Sequence, residues 1–137
     1  MMDSCIFCKI IKGEIPSLKV YEDQSIIAFL DIAPANRGHV LVVPKMHLEM
    51  FHELSSDLTN KSMEVIKKIA QAQSHALGNI GYNVLVNNAK VAGQVVPHVH
   101  VHVIPRFEND GLQFNWRPKP SINGEMEKLK NTIAKFL

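Results

Sequence analysis

His98-Val99-His100-Val101-His102-Val103-Ile104 places three imidazoles at alternate positions with valines between them. Successive side chains of a β-strand point to opposite faces, so this alternation predicts a strand. The three rings line one face and Val99, Val101 and Val103 line the other. Neighbouring rings on the histidine face stand roughly 6.6 Å apart, two strand rises. A buried imidazole must find partners or cost free energy, and a core rarely accepts three in a row. The row therefore marks a functional site.

Working outward, Pro97 suits the start of this strand and Pro105 its end. Upstream, Tyr82-Asn83-Val84-Leu85-Val86-Asn87 predicts another strand. A loop through Gly93-Gln94 follows it, where Gly93 permits a positive φ or a close backbone approach. Gly38-His39-Val40-Leu41-Val42-Val43-Pro44 is apolar enough for a central strand, flanked by His39 and His47. Val20-Tyr21 and Ile26-Ile27-Ala28-Phe29-Leu30 read as a hairpin around Glu22-Asp23-Gln24-Ser25. Asp31 ends that hairpin, either as a turn residue or as a carboxylate presented to a pair of sugar hydroxyls.

The period changes to helical over 56–77, with a stripe at Leu58, Val65, Ile66, Ile69, Ala72, Gln73 and Ala76. Ser55 or Ser56 caps its start and Gly78 its end, His75 is exposed near the carboxyl end, and Met63 fills the core. At the amino terminus, Ser4 caps a short helix carrying Ile6, Phe7 and Ile10 on one face, stopped by Gly13 and Pro16. Cys5 and Cys8 lie in it as half of a metal site or as two small buried hydrophobes. The stretch 106–120 is irregular and holds Trp116, which packs in the tail or reaches a partner's site. An amphipathic helix over 122–137 puts Met126, Leu129, Ile133 and Leu137 on one side. The expected class is α+β: an antiparallel sheet of about five strands, one long helix and two shorter terminal ones, in a single domain over 1–137.

With 46% hydrophobic and 20% charged residues over 137 positions, the chain has an ordinary globular balance. A formal charge of +2, with Lys61, Lys67 and Lys68 interleaved with Glu64, offers no clustered basic face for nucleic acid. The apolar runs fall far short of the ~20 residues that cross a bilayer, and the amino terminus has no signal-peptide pattern. The expectation is a cytoplasmic protein without nucleic-acid or membrane partners, whose cysteines are thiols or metal ligands.

Two chemistries use clustered histidines. His-x-His can supply two ligands of a catalytic zinc. Alternatively, a neutral imidazole, with an unperturbed pKa near 6.5, can attack phosphorus. No GxxxxGK[ST] loop is present, so a P-loop site is excluded, while Gly93-Gln94 could offer donors to phosphate oxygens.

Residues 98–104 match the motif His-φ-His-φ-His-φ-φ, with φ hydrophobic, and here the sequence resembles the histidine triad (HIT) family. Cys5-Ile6-Phe7-Cys8-Lys9-Ile10-Ile11, Glu14-Ile15-Pro16, Leu30-Asp31-Ile32, residues 38–45, Val86-Asn87 and Gly93-Gln94 also look like the branch related to histidine triad nucleotide-binding proteins. The match runs from residue 5 to about 106, leaving 107–137 as a tail outside it.

The resemblance implies a hydrolase or nucleotidyl transferase acting at the α-phosphorus of a purine nucleotide conjugate. His100 would be the nucleophile, His102 would bind phosphate oxygens, and His39 would lie behind His100 to steady its protonation. Asn87, Gly93 and Gln94 would contact the phosphate and leaving group. Asp31 would hold the ribose, with Ile32, Ile6, Phe7 and Ile10 against the base. Cys5, Cys8, His47 and His98 would bind a structural zinc, and a homodimer is implied. Where the family usually has Ser or Thr after Gly-Gln, this chain has Val95, which removes a side-chain donor and slows hydrolysis. Dinucleoside polyphosphates are an alternative substrate, and a nucleotide-binding regulatory module with little activity is an alternative role.

Overall fold

The computed structural model describes residues 4–78, 81–114, 117–120, 122 and 124–137. Trp116 lies outside the described residues. Helix α1 (Ile6–Ile11) precedes β1 (Lys19–Glu22), β2 (Ile26–Leu30) and β3 (Val40–Pro44). Then come the long helix α2 (Ser56–Leu77), β4 (Gly81–Val86), β5 (Val101–Arg106) and α3 (Glu125–Ala134). The five strands form one sheet in the order β1-β2-β3-β5-β4, and every neighbouring pair is antiparallel. The expected α+β architecture is the one observed.

Both faces of β2 and β3 are covered, which explains their unbroken apolar runs. On one face Ile26, Ala28, Val40, Val42, Val101 and Val103 pack against Leu58, Val65, Ile66, Ile69 and Ala70 of α2. At about 1.5–3 kcal/mol for each large side chain, this is the main stabilising layer. On the other face Ile27, Phe29, Leu41 and Val43 meet Cys5, Phe7 and Cys8. His102 pairs with Leu41 on that second face, opposite Val101 and Val103. The period-two reading thus assigns the histidines and valines to the correct sides.

Helix α2 starts where Ser55 Oγ accepts the Leu58 N–H at 3.2 Å, and it ends at Gly78 in the left-handed conformation. His75 is exposed as expected. Three details of the helices differ. Met63 is 46% exposed, because helical rotation turns Ser62, Val65, Ile66, Ile69 and Gln73 inward and Met63 out. Ala72 and Ala76 also face solvent, and Ala70 takes their place in the core. The residue capping α1 is Cys5 and not Ser4, with no side-chain cap bond.

The histidine strand begins later than its alternation suggests. Only Val101–Arg106 is in the sheet, while His98 and His100 belong to the segment leading into it. Pro97 has no N–H to offer, the His98 N–H turns back to the Val96 carbonyl, and the Val99 N–H goes to the Leu48 carbonyl. The strand also continues through Pro105, which pairs with Tyr82 on β4. That is tolerated because β3 begins at Val40, so the β3–β5 ladder stops at Val103 and the proline lies beyond it. Helix α3 is shorter than the periodicity suggests, and its Met126, Leu129 and Ile133 remain exposed. Among the described residues no helix is long and apolar enough to cross a membrane.

Candidate active site and metal centre

On the α1 face of the sheet, an apolar cavity of about 360 Å³ opens beside the histidines. Its walls include Ile6, Phe7, Ile10, Asp31, Ile32, Asn87, Gly93, Val95, His100 and His102, ten of the residues expected around a nucleotide. Phe29, Leu41 and Val96 also belong to the apolar wall, and the triad motif did not mark them. Phe7 meets His100 edge-on, with ring centroids 5.0 Å apart.

Backbone groups set the tautomers. His100 Nδ1 lies 2.7 Å from the His98 carbonyl, which can only accept, so Nδ1 carries the proton. The other nitrogen, Nε2, keeps its lone pair. The Ala35 N–H donates to His39 Nδ1 at 3.1 Å, so the His39 proton sits on Nε2. That nitrogen is 2.9 Å from His102 Nδ1, which must therefore accept. His102 is left with its own proton on Nε2, a donor. One lone pair and one N–H are thus assigned to adjacent rings whose centroids lie 4.9 Å apart. His39 contacts His102 here, where support of His100 was expected. Ala35 acts through its backbone, so no side-chain signal could have disclosed it.

Burial, more than any charge, depresses the basicity of His39, His98 and His100. His102 falls to about 4, through burial and then the neighbouring His100 and His39. The rings are therefore neutral at pH 7, the state a nucleophilic imidazole needs. The depression also has a stability consequence. The unfolded chain takes up the His102 proton near 6.5 and the folded chain only near 4, so acid favours unfolding. The contribution is complete above about pH 6.5 and is lost as the pH falls through about 4. Thermal melts should show Tm dropping across that window, with a smaller slope in His102→Asn. An equal slope in the two proteins would contradict the assignment.

Asp31 makes the expected turn contact and also reaches the cavity. Its Oδ1 accepts the Ala33 N–H at 2.8 Å, and the residue lines the cavity with Oδ2 3.6 Å from His39 Nδ1. Gly93 has φ +90° next to Asn87, whose Nδ2 is 3.5 Å from the Gly93 carbonyl. Gln94 departs from expectation. Its Oε1 accepts the Ala89 N–H at 2.8 Å and its Nε2 donates to the Glu49 carbonyl at 2.7 Å. Its backbone N–H goes to the Ala89 carbonyl, so Gln94 braces the loop and does not line the cavity. Val95 does line it and is 89% exposed.

The second cluster closes on the other side of Phe7. Cys5, Cys8, His47 and His98 bring their four ligand atoms within 4.8 Å of one another. His98 Nδ1 is 3.4 Å from Cys5 Sγ, 3.7 Å from Cys8 Sγ and 3.2 Å from His47 Nδ1. Cys8 Sγ is 3.3 Å from His47 Nδ1. A tetrahedral zinc with bonds of about 2.0–2.3 Å has edges of about 3.3–3.8 Å, so the set fits such an ion. The Pro44 carbonyl accepts from His98 Nε2 at 2.8 Å, which leaves Nδ1 as the ligand atom. Burial raises the Cys8 thiol above its ordinary value, and a bound cation would reverse that by stabilising the thiolate.

Alternating histidines brought by an antiparallel sheet to an apolar cavity define a histidine triad protein. The HIT domain model matches residues 12–109, and the chain belongs to that family. It is 44% identical over 132 residues to an adenosine 5'-monophosphoramidase of Schizosaccharomyces pombe, covering 96% of each chain. The crystal structure of a HIT family protein from Bacillus subtilis superposes with a TM-score of 0.91 at 42% identity, covering 98% of this chain and 97% of that one. A zinc-bound histidine triad family protein from Mycobacterium smegmatis gives 0.78 at 34% identity, covering 99% and 97%.

Proposed function

We propose that the protein is a nucleoside phosphoramidase, hydrolysing a purine nucleotide conjugate at its α-phosphorus through a nucleotidyl-histidine on His100. The observation that carries this is the fixed tautomer of His100, whose proton is held by the His98 carbonyl at 2.7 Å. Its Nε2 attacks phosphorus as the phosphorus–nitrogen bond breaks, and the leaving nitrogen takes a proton from solvent, which the attacking water returns in the second step. Water then attacks the same phosphorus, His100 departs, and the nucleoside monophosphate is released. His102 donates from Nε2 to a phosphate oxygen while His39 holds its other nitrogen. The base lies against Ile6, Phe7, Ile10 and Ile32, the ribose hydroxyls on Asp31, and the phosphate near Asn87, Gly93 and the backbone at Val95.

Zinc is the proposed occupant of the Cys5, Cys8, His47 and His98 cluster. Four protein ligands leave no open position, so the ion would be structural, holding α1 against the sheet. Val95 in place of a hydroxyl favours slow turnover and supports a second reading, a nucleotide-binding regulator with vestigial activity. A panel of adenosine phosphoramidates and dinucleoside polyphosphates separates the possibilities. Turnover of phosphoramidates supports the first, polyphosphate cleavage alone shifts the substrate, and micromolar AMP binding with no turnover favours the regulator.

The protein is further proposed to work as a cytoplasmic homodimer. The edge strand β4, with Tyr82 and Val84 about half exposed, and the bare apolar side of α3 support a second copy as their cover. Sedimentation should return twice the chain mass, and a monomer at micromolar concentration would overturn it.

A further inference from the structure

We propose that Gln73, on the face of the sheet opposite the cavity, is a positioning residue for the His39–His102 pair. Gln73 is only 6% exposed and sits in the apolar stripe of α2. Its Nε2 donates to the Gly38 carbonyl at 2.8 Å and to the Val103 carbonyl at 3.0 Å. Those residues immediately precede His39 and follow His102. Its Oε1, also buried, has no hydrogen-bond partner among the described residues. A buried amide with an unpartnered oxygen is costly among Ile66, Ile69 and Ala70, so its donor bonds must be what the site requires.

The need arises from the ladder. Val40 faces Val103 and Val42 faces Val101, so the same register sets Gly38 against Pro105. The His39 carbonyl accepts the Asp31 N–H on the β2 side, which by alternation turns the Gly38 carbonyl toward β5. Proline has no N–H to give it. Gln73 supplies the missing donor from the helix, and Asn36 Nδ2 donates to the Pro105 carbonyl at 3.0 Å. A side chain at position 38 would meet Leu77 Cδ1 at 2.5 Å, so this corner is also pressed against α2. The single amide thus locks β3 to β5 where His39 Nε2 must stay 2.9 Å from His102 Nδ1. Because α2 covers the other face, Gln73 acts only through these strands.

The test compares Q73M, Q73E and the control I66V with the parent, by ring-nitrogen NMR of His39 and His102 and by kcat and KM on an adenosine phosphoramidate. Q73M keeps the shape and removes both donors. It should lose the hydrogen-bonded signature of the His39–His102 contact and lower kcat by about ten- to a hundredfold, with KM within about twofold. Q73E, kept protonated by burial, retains one donor and should recover part of both. I66V trims the same helix face and should leave both unchanged whatever its Tm. Parental ring signals and kcat in Q73M overturn the proposal. Should Q73M not fold, Q73E decides: a partial change supports the proposal and parental values overturn it. The ring signals need no substrate, so this inference and the phosphoramidase reading on which its kcat arm rests can fail separately.

Discussion

His100→Ala is expected to reduce turnover of an adenosine phosphoramidate by roughly ten-thousandfold or more, because the step that forms the covalent intermediate has no alternative atom. His102 cannot substitute. Its Nδ1 accepts from His39 and its Nε2 carries the proton, so it presents no lone pair. Unfolding should not explain the loss. The substitution leaves the His98 carbonyl without its donor, which costs about 1–3 kcal/mol, and the α2 side of the sheet is untouched. AMP should still bind, since Asp31 and the apolar wall remain. Rapid quenching with intact-protein mass measurement provides the second readout: an added nucleotidyl mass on the parent and none on the variant. Equal turnover in the two proteins would remove the covalent-histidine mechanism.

The sheet was legible because its signals are local. Alternation in 98–104 identifies which side chains share a face, and Ser55 and Gly78 bracket α2 by cap chemistry alone. The start of β5 was not legible, since it depends on the Val99 N–H finding Leu48, fifty-one positions earlier. Gln94 and His39 illustrate a similar limit. A motif names a residue without saying which partner claims its polar atoms, and here Glu49, Ala89 and His102 do. Gln73 read as one member of an apolar stripe, although its amide answers a gap made by a proline on a different strand. Cys5, Cys8, His47 and His98 converge over sequence separations of up to 93 positions. Cys-x-x-Cys alone is half a site, and the resemblance supplied the other half.

Removing the metal by chelation, or breaking its site with Cys5→Ser, should have the largest effect on stability and should also weaken nucleotide binding. Zinc bound by two thiolates and two imidazoles contributes folding free energy directly, about 10–16 kcal/mol where a whole small domain depends on it. The dependence here is partial, because the α2 layer of the core contains no residue of α1. The other layer joins Cys5, Phe7 and Cys8 to Ile27, Phe29, Leu41 and Val43, and loss of the proposed ion from its cysteines should loosen that layer. A loss of about 3 kcal/mol or more is expected, a fall in Tm of about 10 °C or more. Metal content should drop from about one zinc per chain toward zero in the same preparation. The effect reaches the cavity through Phe7, whose ring stands between His98 at 5.9 Å and His100 at 5.0 Å. Ile6 and Ile10, on the same short helix, are cavity walls. AMP affinity should therefore fall with the metal, although no ligand of the ion belongs to the cavity wall. Protein purified without chelators that contains no zinc, or a Cys5→Ser variant with parental Tm and AMP affinity, would separate the cluster from both roles.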